Sequence, residues 1–271
     1  MVKSVQHIDG TRRFFGRRRP IARYPRLHLK NYLTRAIPIA PNIWSWRRLA
    51  LEALAQMYMN DSLGDCVIAC LEHNAGVLTG NATNGNPVIF DDGNTVRLYS
   101  AIGGYVPGDS STDNGCDIQT ALNYYGTSGL SSNGSHKIVG YLAVNPSDVE
   151  EIKQAIFLFG NLCFGVELPD AWINPNFPSG NGFTWDIAGA PDPNNGHCFL
   201  GFGHNSSGVQ INTWALQGIM TYAAIAQYCN ANVQGELYTV ISQDILIAAT
   251  QKAPNGFDFT QLMADFQAIK A

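Results

Sequence analysis

The stretch Asn60-Asp61-Ser62-Leu63-Gly64-Asp65-Cys66 ends at a cysteine that comes directly before a segment with helical spacing. Beyond Cys66, apolar residues recur with the period of a helix that buries one face, at positions 67, 68, 71, 75 and 78. The cysteine is therefore predicted at a helix N-terminus, where unpaired N–H groups and the helix dipole favour a negative charge. Because the thiolate is the reactive form of cysteine, this position favours a nucleophile.

Two later residues supply the partners that such a nucleophile needs, a base to take its proton and a polar group to orient the base. His197 follows Cys66 by 131 positions, and Asn212 follows His197 by 15. We predict that Cys66 attacks the substrate, that His197 moves the proton and that Asn212 holds the imidazole ring. The side chain of Asn60 and the backbone N–H of Cys66 are predicted to stabilise a developing oxyanion.

The order and spacing of these residues resemble the papain-like cysteine peptidases, in which His and Asn follow the Cys by roughly 130–150 residues. Gly64 matches the glycine of the family pattern, whereas Asn60 replaces the usual Gln and Val67 replaces an aromatic residue. The apolar run after His197 is similar to the strand that carries the base in that family. Asn212-Thr213-Trp214 is similar to the Asn-Ser-Trp of the family, whose Trp shields the His–Asn hydrogen bond from water.

The resemblance implies an α+β, papain-like fold, in which a helical subdomain with the Cys packs against an antiparallel sheet subdomain with the His and Asn. An order of helices first and strands later agrees with this class. We place a basic N-terminal arm at residues 1–48 and the papain-like domain at 49–271. Within this domain we expect a helical half at about 49–160, a sheet half at about 161–245 and a C-terminal helix at about 257–270.

Two local signals refine this outline. Ser147-Asp148-Val149-Glu150 has the form of a capping box and predicts a helix that runs to about residue 159. The segment 169–195 is rich in Pro, Asn and Gly and predicts a long loop. Because loops of this length are often functional and this one leads to His197, we expect it to form one wall of the cleft.

Charge is divided unevenly along the chain. Residues 1–48 contain 12 of the 17 Lys and Arg and a single acidic residue, Asp9, so the arm carries +11. Residues 49–271 contain 5 basic and 20 acidic residues and carry −15. This division predicts that the arm docks on the acidic body of its own chain or of a neighbouring subunit.

Three alternatives for the arm stay open: contact with nucleic acid, a pro-segment that covers the cleft, and a solvated tail. If the arm is a separate unit, deleting residues 2–48 should leave a folded body.

The resemblance implies a thiol hydrolase that acts on a peptide or protein substrate and needs no cofactor and no metal. A Gly-Asp-Cys start and the stretch from Tyr99 to Tyr105 also resemble members that phages and prophages encode. The alternative is a non-catalytic papain-fold virion or assembly protein, anchored to neighbouring subunits by the basic arm. Asn60 and Asp65 keep this alternative open, because Asn is one methylene shorter than Gln and a carboxylate raises the pKa of an adjacent thiol.

Composition limits the compartment and the redox state. No stretch approaches the ~20 apolar residues of a membrane-spanning helix, and the start lacks the apolar segment of a secretory signal. We therefore expect an intracellular protein, in a host cytoplasm or in a virion, that does not contact membranes. In that setting the cysteines are expected to be buried free thiols without disulfides. The cysteines are Cys66, Cys70, Cys116, Cys163, Cys198 and Cys229.

Overall fold

The computed structural model describes residues 3–7, 10–21, 26–174, 177–248 and 257–270. In these residues the α-helices are α1 (Leu51–Leu54), α2 (Cys66–Ala82), α3 (Asp92–Gly103), α4 (Ile118–Ser128), α5 (Val149–Phe159), α6 (Tyr222–Tyr228), α7 (Gln243–Ala248) and α8 (Phe259–Lys270). The β-strands are β1 (Ser4–Gln6), β2 (Arg12–Phe14), β3 (Trp44–Ser45), β4 (Ile138–Ala143), β5 (Leu162–Pro169), β6 (Phe183–Trp185), β7 (Pro191–His204), β8 (Gly208–Thr213), β9 (Leu216–Thr221) and β10 (Glu236–Ser242).

Most of the strands form one sheet, which confirms the predicted α+β class. Its strand order is β4-β10-β5-β7-β8-β9-β6, and β3 also pairs with β7. Neighbouring strands run antiparallel except β6 and β9, which are parallel. The longest strand, β7, is buried from Asn195 to His204 and carries the predicted base.

The side chains of the sheet alternate between two apolar cores, because successive residues of a strand point to opposite faces. On one face, Cys198 and Leu200 of β7 belong to a core with Ile68 of α2, which we call the α2 core. On the other face, Phe199 belongs to a core with Ile156 of α5, which we call the α5 core. Both faces of β7 are thus covered by apolar side chains.

Helix α2 lies in the α2 core and begins at Cys66, as the apolar spacing predicts. Its residues from Cys66 to Gly80 are all buried, since β7 and the helices around it cover every side. Two glycines permit this packing. A Cβ at Gly76 would lie 2.3 Å from the Cβ of Ala53, and one at Gly80 would lie 2.2 Å from the carbonyl oxygen of Leu49.

The cap of helix α5 differs from the prediction by one residue. The carboxylate of Asp148 accepts hydrogen bonds from the backbone N–H groups of Glu150 and Glu151, each at 3.1 Å. The helix begins at Val149, so Asp148 is the N-cap, and Ser147 lies one residue outside it. A carboxylate competes well for this position because it is both an acceptor and a negative charge at the positive end of the dipole.

Two segment limits also differ from the prediction. Strand β4 pairs with β10 in the main sheet, although it lies in the segment 49–160 that we assigned to the helical half. The segment 169–195 is more than a loop, because it contains β6 and the first residues of β7. Helix α8 agrees with the C-terminal helix expected at about 257–270.

The described residues of the basic arm pack against the body of the same chain. Strands β1 and β2 form a hairpin, and β3 joins the main sheet. Leu29 and Tyr32 are buried in the α5 core, and the Tyr32 hydroxyl donates to the Asp265 carboxylate of α8 at 2.6 Å. Deleting residues 2–48 would remove these core contacts, which argues against the expectation that the deletion leaves a folded body.

All six cysteines are free and buried, as expected. Within the ranges described above, no helix has the length and apolarity that crossing a membrane requires. In the same ranges, no group of three or more His, Cys, Asp or Glu side chains could hold a metal ion.

Leu29→Ala tests whether the arm is part of the core. We expect it to lower the free energy of unfolding by about 2–5 kcal/mol, as for other buried leucines, because it leaves a cavity in the α5 core. Ile39→Ala is the matched control in the same arm, since Ile39 is 86% exposed and its truncation should change stability by less than about 0.5 kcal/mol. Urea unfolding at pH 7 measures both, and equal small effects would contradict an integrated arm.

Candidate active site

Cys66 is the first residue of α2, and its side chain is sealed from solvent. Burial, and then the neighbouring Cys198, raise the pKa of the Cys66 thiol well above its ordinary value. Burial and then Glu72 raise the pKa of the Asp65 carboxyl in the same way. In this state the cysteine is a neutral thiol, because the effect of desolvation on its pKa outweighs that of the helix dipole.

His197 lies on the α5 side of β7 and is held by two contacts. Its ring stacks on the Trp214 indole with the centroids 4.0 Å apart and the planes 12° from parallel. Its Nε2 is 2.7 Å from the Thr213 hydroxyl oxygen, and its Nδ1 has no hydrogen-bond partner among the described residues. Burial lowers the pKa of His197 to about 3, so the ring is neutral.

Asn212 does not contact His197 in the way that the sequence predicted. The β7–β8 register pairs Asn212 with Leu200, so its side chain lies on the α2 face with Cys198. The next residue, Thr213, points to the opposite face and takes the hydrogen bond to His197. Both polar atoms of the Asn212 carboxamide are buried without a hydrogen-bond partner among the described residues.

Three of the four predicted site residues nevertheless share one small cavity. Cys66, Asn60 and Asn212 line a space of about 10 Å³ between α2 and β8, with Cys70, Cys198 and Thr213 also in its lining. That volume corresponds to about one water molecule. His197 does not line it, and no hydrogen bond joins the Cys66 thiol to His197 in the described part of the chain.

Asn60 points its amide toward the basic arm. Its Nδ2 lies 3.3 Å from the carbonyl oxygen of Phe14, 3.1 Å from that of Leu63 and 3.2 Å from Oδ1 of Asp65. The Trp214 indole N–H also donates to the Phe14 carbonyl, at 3.4 Å. Asn60 was predicted to stabilise an oxyanion, and here it contacts a peptide carbonyl of the same chain.

Residues 14–19 of the arm, which we call the cleft segment, lie between the helical wall and the sheet wall of the site. On the sheet side, the N–H groups of Gly16 and Arg17 donate to the carbonyl of Gly196, at 3.1 and 3.0 Å. On the helical side, Cys116 N–H donates to the Gly16 carbonyl and Arg18 N–H donates to the Cys116 carbonyl, both at 2.9 Å. The segment thus bridges the two walls by main-chain hydrogen bonds.

Glycines allow the cleft segment to approach both walls closely. A Cβ at Gly16 would lie 1.7 Å from the carbonyl oxygen of Gly64, which stands two residues before the cysteine. A Cβ at Gly196 would lie 2.3 Å from the carbonyl oxygen of Arg17. The ring of Phe15 is buried beside them and packs edge-on against His197, with the centroids 5.8 Å apart.

Asp113 supports the helical wall and was not singled out from the sequence. Its carboxylate accepts from the Gly64 N–H, with both oxygens within 3.2 Å, and from the Tyr99 hydroxyl at 2.6 Å. The Tyr99 oxygen in turn accepts from the Gly115 N–H at 2.7 Å. One buried carboxylate thereby fixes two glycines next to the cleft segment. Nothing in the spacing of Tyr99 and Asp113 signals this contact.

The buried state of His197 predicts a pH dependence of stability. An unfolded histidine has a pKa of about 6.5, so between pH 6.5 and the folded pKa of about 3 the unfolded chain binds the extra proton. This contribution to stability is complete above about pH 6.5 and is lost as the pH falls. Between pH 7 and pH 5 this contribution amounts to about 2 kcal/mol. On lowering the pH from 7 to 5, the free energy of unfolding of His197→Gln should therefore fall by about 2 kcal/mol less than that of the wild type.

Urea unfolding at pH 7 and pH 5 measures this difference. Phe199→Leu is the control, because it changes the same face of β7 without a titratable group and should lower stability equally at both pH values. An unchanged pH dependence in His197→Gln would mean that the ring is hydrated in the folded protein.

The fold is similar to solved structures of cysteine proteases. Xylellain, a cysteine protease from Xylella fastidiosa, is 14% identical, with a TM-score of 0.54 over 84% of this chain and 95% of its own. Digestive procathepsin L 3 of Tenebrio molitor larval midgut is 16% identical, with a TM-score of 0.52 over 82% of this chain and 76% of its own. The proform of Amb a 11, a ragweed pollen cysteine protease, is 13% identical, with a TM-score of 0.53 over 81% of this chain and 71% of its own.

No protein-family model matches the sequence, and no curated protein matches it either. At these identities the structural likeness establishes the fold alone. It agrees with the resemblance that Cys66, His197 and Asn212-Thr213-Trp214 carry in the sequence. The chain therefore has the fold of the papain-like cysteine proteases.

Proposed function

We propose that the chain is a papain-like thiol hydrolase of peptide bonds and that its cleft is closed here by its own N-terminal arm. One observation carries the proposal. The cleft segment crosses the groove beside Cys66, with main-chain hydrogen bonds to Gly196 on one side and Cys116 on the other. Main-chain hydrogen bonds of this kind recognise any extended polypeptide, so a peptide substrate is the natural ligand of the groove.

In this proposal the closed state accounts for the raised pKa of Cys66 and the lowered pKa of His197. Phe15 of the cleft segment packs on His197, and burial is the largest cause of the pKa shifts of both Cys66 and His197. When the segment leaves, solvent lowers the pKa of Cys66 and raises that of His197, which brings the two closer to proton exchange. The Asp65 carboxyl hinders ionisation of the Cys66 thiol less than the sequence suggested, because its own raised pKa favours the neutral form.

The chemistry in the open state follows from the groups around the groove. The Cys66 sulfur attacks the carbonyl carbon of the scissile bond, and its proton passes to Nδ1 of His197, the ring atom without a partner. The Asn60 amide and the Cys66 N–H stabilise the oxyanion. The tetrahedral species collapses to a thioester as the amine leaves with the proton of His197, and water then hydrolyses the thioester.

The orienting group for His197 is assigned to Thr213 in this proposal. Its hydroxyl holds Nε2 at 2.7 Å, while Trp214 covers the ring face. Asn212, predicted for this role from the sequence, faces Cys66 across the small cavity and reaches His197 only if the strand end rearranges.

The second candidate function is a non-catalytic assembly protein with the same fold. The missing hydrogen bond between Cys66 and His197 favours it, as does the raised pKa of the thiol. In that case the basic arm would anchor the chain to neighbouring subunits, and a phage or prophage origin is the corresponding hypothesis for its source.

Alkylation of Cys66 by iodoacetamide distinguishes the two functions. In the wild type we expect Cys66 to react no faster than the other five cysteines, because the arm seals it. Gly16→Ala should expose it, since the added Cβ cannot fit against the Gly64 carbonyl, and the fast reaction should disappear in Gly16→Ala/His197→Ala. Gly180→Ala is the matched control, because a Cβ there meets no atom within 4 Å.

Peptide mapping by mass spectrometry identifies the alkylated residue. A Gly16→Ala protein that remains folded, as judged by circular dichroism, and whose Cys66 stays unreactive would favour the assembly protein.

Variants of Thr213 and Asn212 identify the orienting group. In the Gly16→Ala background, Thr213→Ala should slow the alkylation of Cys66 roughly tenfold, as loss of a buried hydrogen bond allows, and Thr213→Ser should restore the rate. Asn212→Ala should change it little. Rates measured from pH 5 to pH 9 report the pKa of the activating base, which a purely structural defect would not move. A larger loss in Asn212→Ala than in Thr213→Ala would return the role to Asn212.

A further inference from the structure

The side chain of Arg17 leaves the cleft segment and enters a closed pocket in the sheet wall. Both Arg17 and its partner Glu236 are buried, with side-chain exposures of 0% and 1%. The guanidinium Nε and Nη2 donate to the same carboxylate oxygen at 3.0 and 2.7 Å, and Nη2 also lies 2.5 Å from the carbonyl oxygen of Gln234. The other carboxylate oxygen accepts from the Tyr238 hydroxyl at 3.0 Å.

The pocket is shaped for a planar, forked cation. Gly165 of β5 keeps it open, because a Cβ there would lie 2.6 Å from Cδ1 of Ile118, 2.7 Å from Cγ of Glu236 and 2.8 Å from Nε of Arg17. Nε and Nη2 meet acceptors on two residues, an arrangement that a lysine ammonium, as a point charge, does not reproduce, whereas Nη1 is buried without a hydrogen-bond partner among the described residues.

Arg17 is also the residue at which the main chain of the cleft segment is fixed on both walls. Its N–H donates to Gly196, and its neighbours on either side exchange hydrogen bonds with Cys116. A peptide that takes the place of the cleft segment therefore presents one side chain to the mouth of this pocket. This pocket therefore determines which side chain is accepted at that position, since no other charged side chain of the cleft segment is buried so completely.

We infer that Glu236 is the base of a specificity pocket and that the open enzyme selects peptides with arginine at the position that Arg17 occupies in the closed state. The inference rests on the proposed function and names its substrate class. When the arm leaves, the Glu236 carboxylate loses its ion pair with Arg17, and an unpaired buried carboxylate is unfavourable. An arginine of the substrate replaces Arg17 and restores the pair.

The ion pair at the rim of the groove differs from the buried pair of Arg17 and Glu236. Arg19 also contacts a carboxylate, Glu167, at 2.6 Å, but its side chain is 55% exposed. Water can replace that contact at little cost, because exposed ion pairs contribute little. The preference for a basic side chain thus belongs to the buried pocket and not to the rim.

The test uses full-length Gly16→Ala and a series of fluorogenic peptides that carry Arg, Lys, Leu or Glu at the Arg17 position and are otherwise identical. We expect kcat/KM for Arg to exceed that for Leu by about 10- to 100-fold, as a buried charged hydrogen bond allows, with Lys between them. Glu236→Gln should remove most of the preference, and Gly165→Ala should reduce kcat/KM for Arg. The control Glu167→Gln should leave the ratio of Arg to Leu unchanged.

A binding measurement keeps the inference testable if Glu236→Gln does not fold or if no peptide is hydrolysed. A synthetic peptide of residues 12–19 and its analogue with Leu in place of Arg17 are titrated into Gly16→Ala/Cys66→Ala by calorimetry. Tighter binding of the Arg peptide supports the pocket even without turnover, in which case the proposed hydrolase fails alone. Hydrolysis or binding without a preference for Arg would overturn the inference and leave the hydrolase standing.

Discussion

Strand β7 is buried on both faces, and the alternation of its side chains places His197 on the opposite face from Cys198, which lies with Cys66 in the α2 core. In this part of β7, Cys198 and Leu200 face α2 and the Cys66 thiol. His197 and Phe199 lie on the opposite face, on the side of the α5 core. In the partner strand β8, Asn212 pairs with Leu200 of β7, and the Thr213 hydroxyl rather than the Asn212 amide contacts His197. The register of the strands therefore decides which side chains can reach His197.

The second determinant is the way the chain covers its own groove. The cleft segment contributes main-chain hydrogen bonds to both walls, a carbonyl for Asn60 and Trp214, and a guanidinium for a buried carboxylate. Burial also raises the pKa of the Cys66 thiol and lowers that of the His197 imidazole, so both groups are neutral in this state.

Much of the fold could be predicted from the sequence, because helical spacing after Cys66 and the order of motifs are local or one-dimensional signals. The partner of His197 could not, since a spacing of 15 residues does not reveal the bulge between Gly201 and Gly203 in the β7–β8 pairing. One residue of register moves a side chain to the other face. The position of the arm and the support that Asp113 gives to Gly64 depend on contacts between distant segments, which charge and composition do not encode.

The uneven charge of the sequence has a consequence for the docked arm. The sequence of the arm carries +11 and that of the body −15, and the ion pairs between their described residues fall into two electrostatic classes. Pairs at the rim, such as Arg19 with Glu167 and Lys3 with Asp192, are open to dissolved ions, while Arg17 and Glu236 are not. Added salt therefore weakens the exposed ion pairs at the rim of the groove but not the buried pair of Arg17 and Glu236. Raising the ionic strength alone is not expected to release the arm.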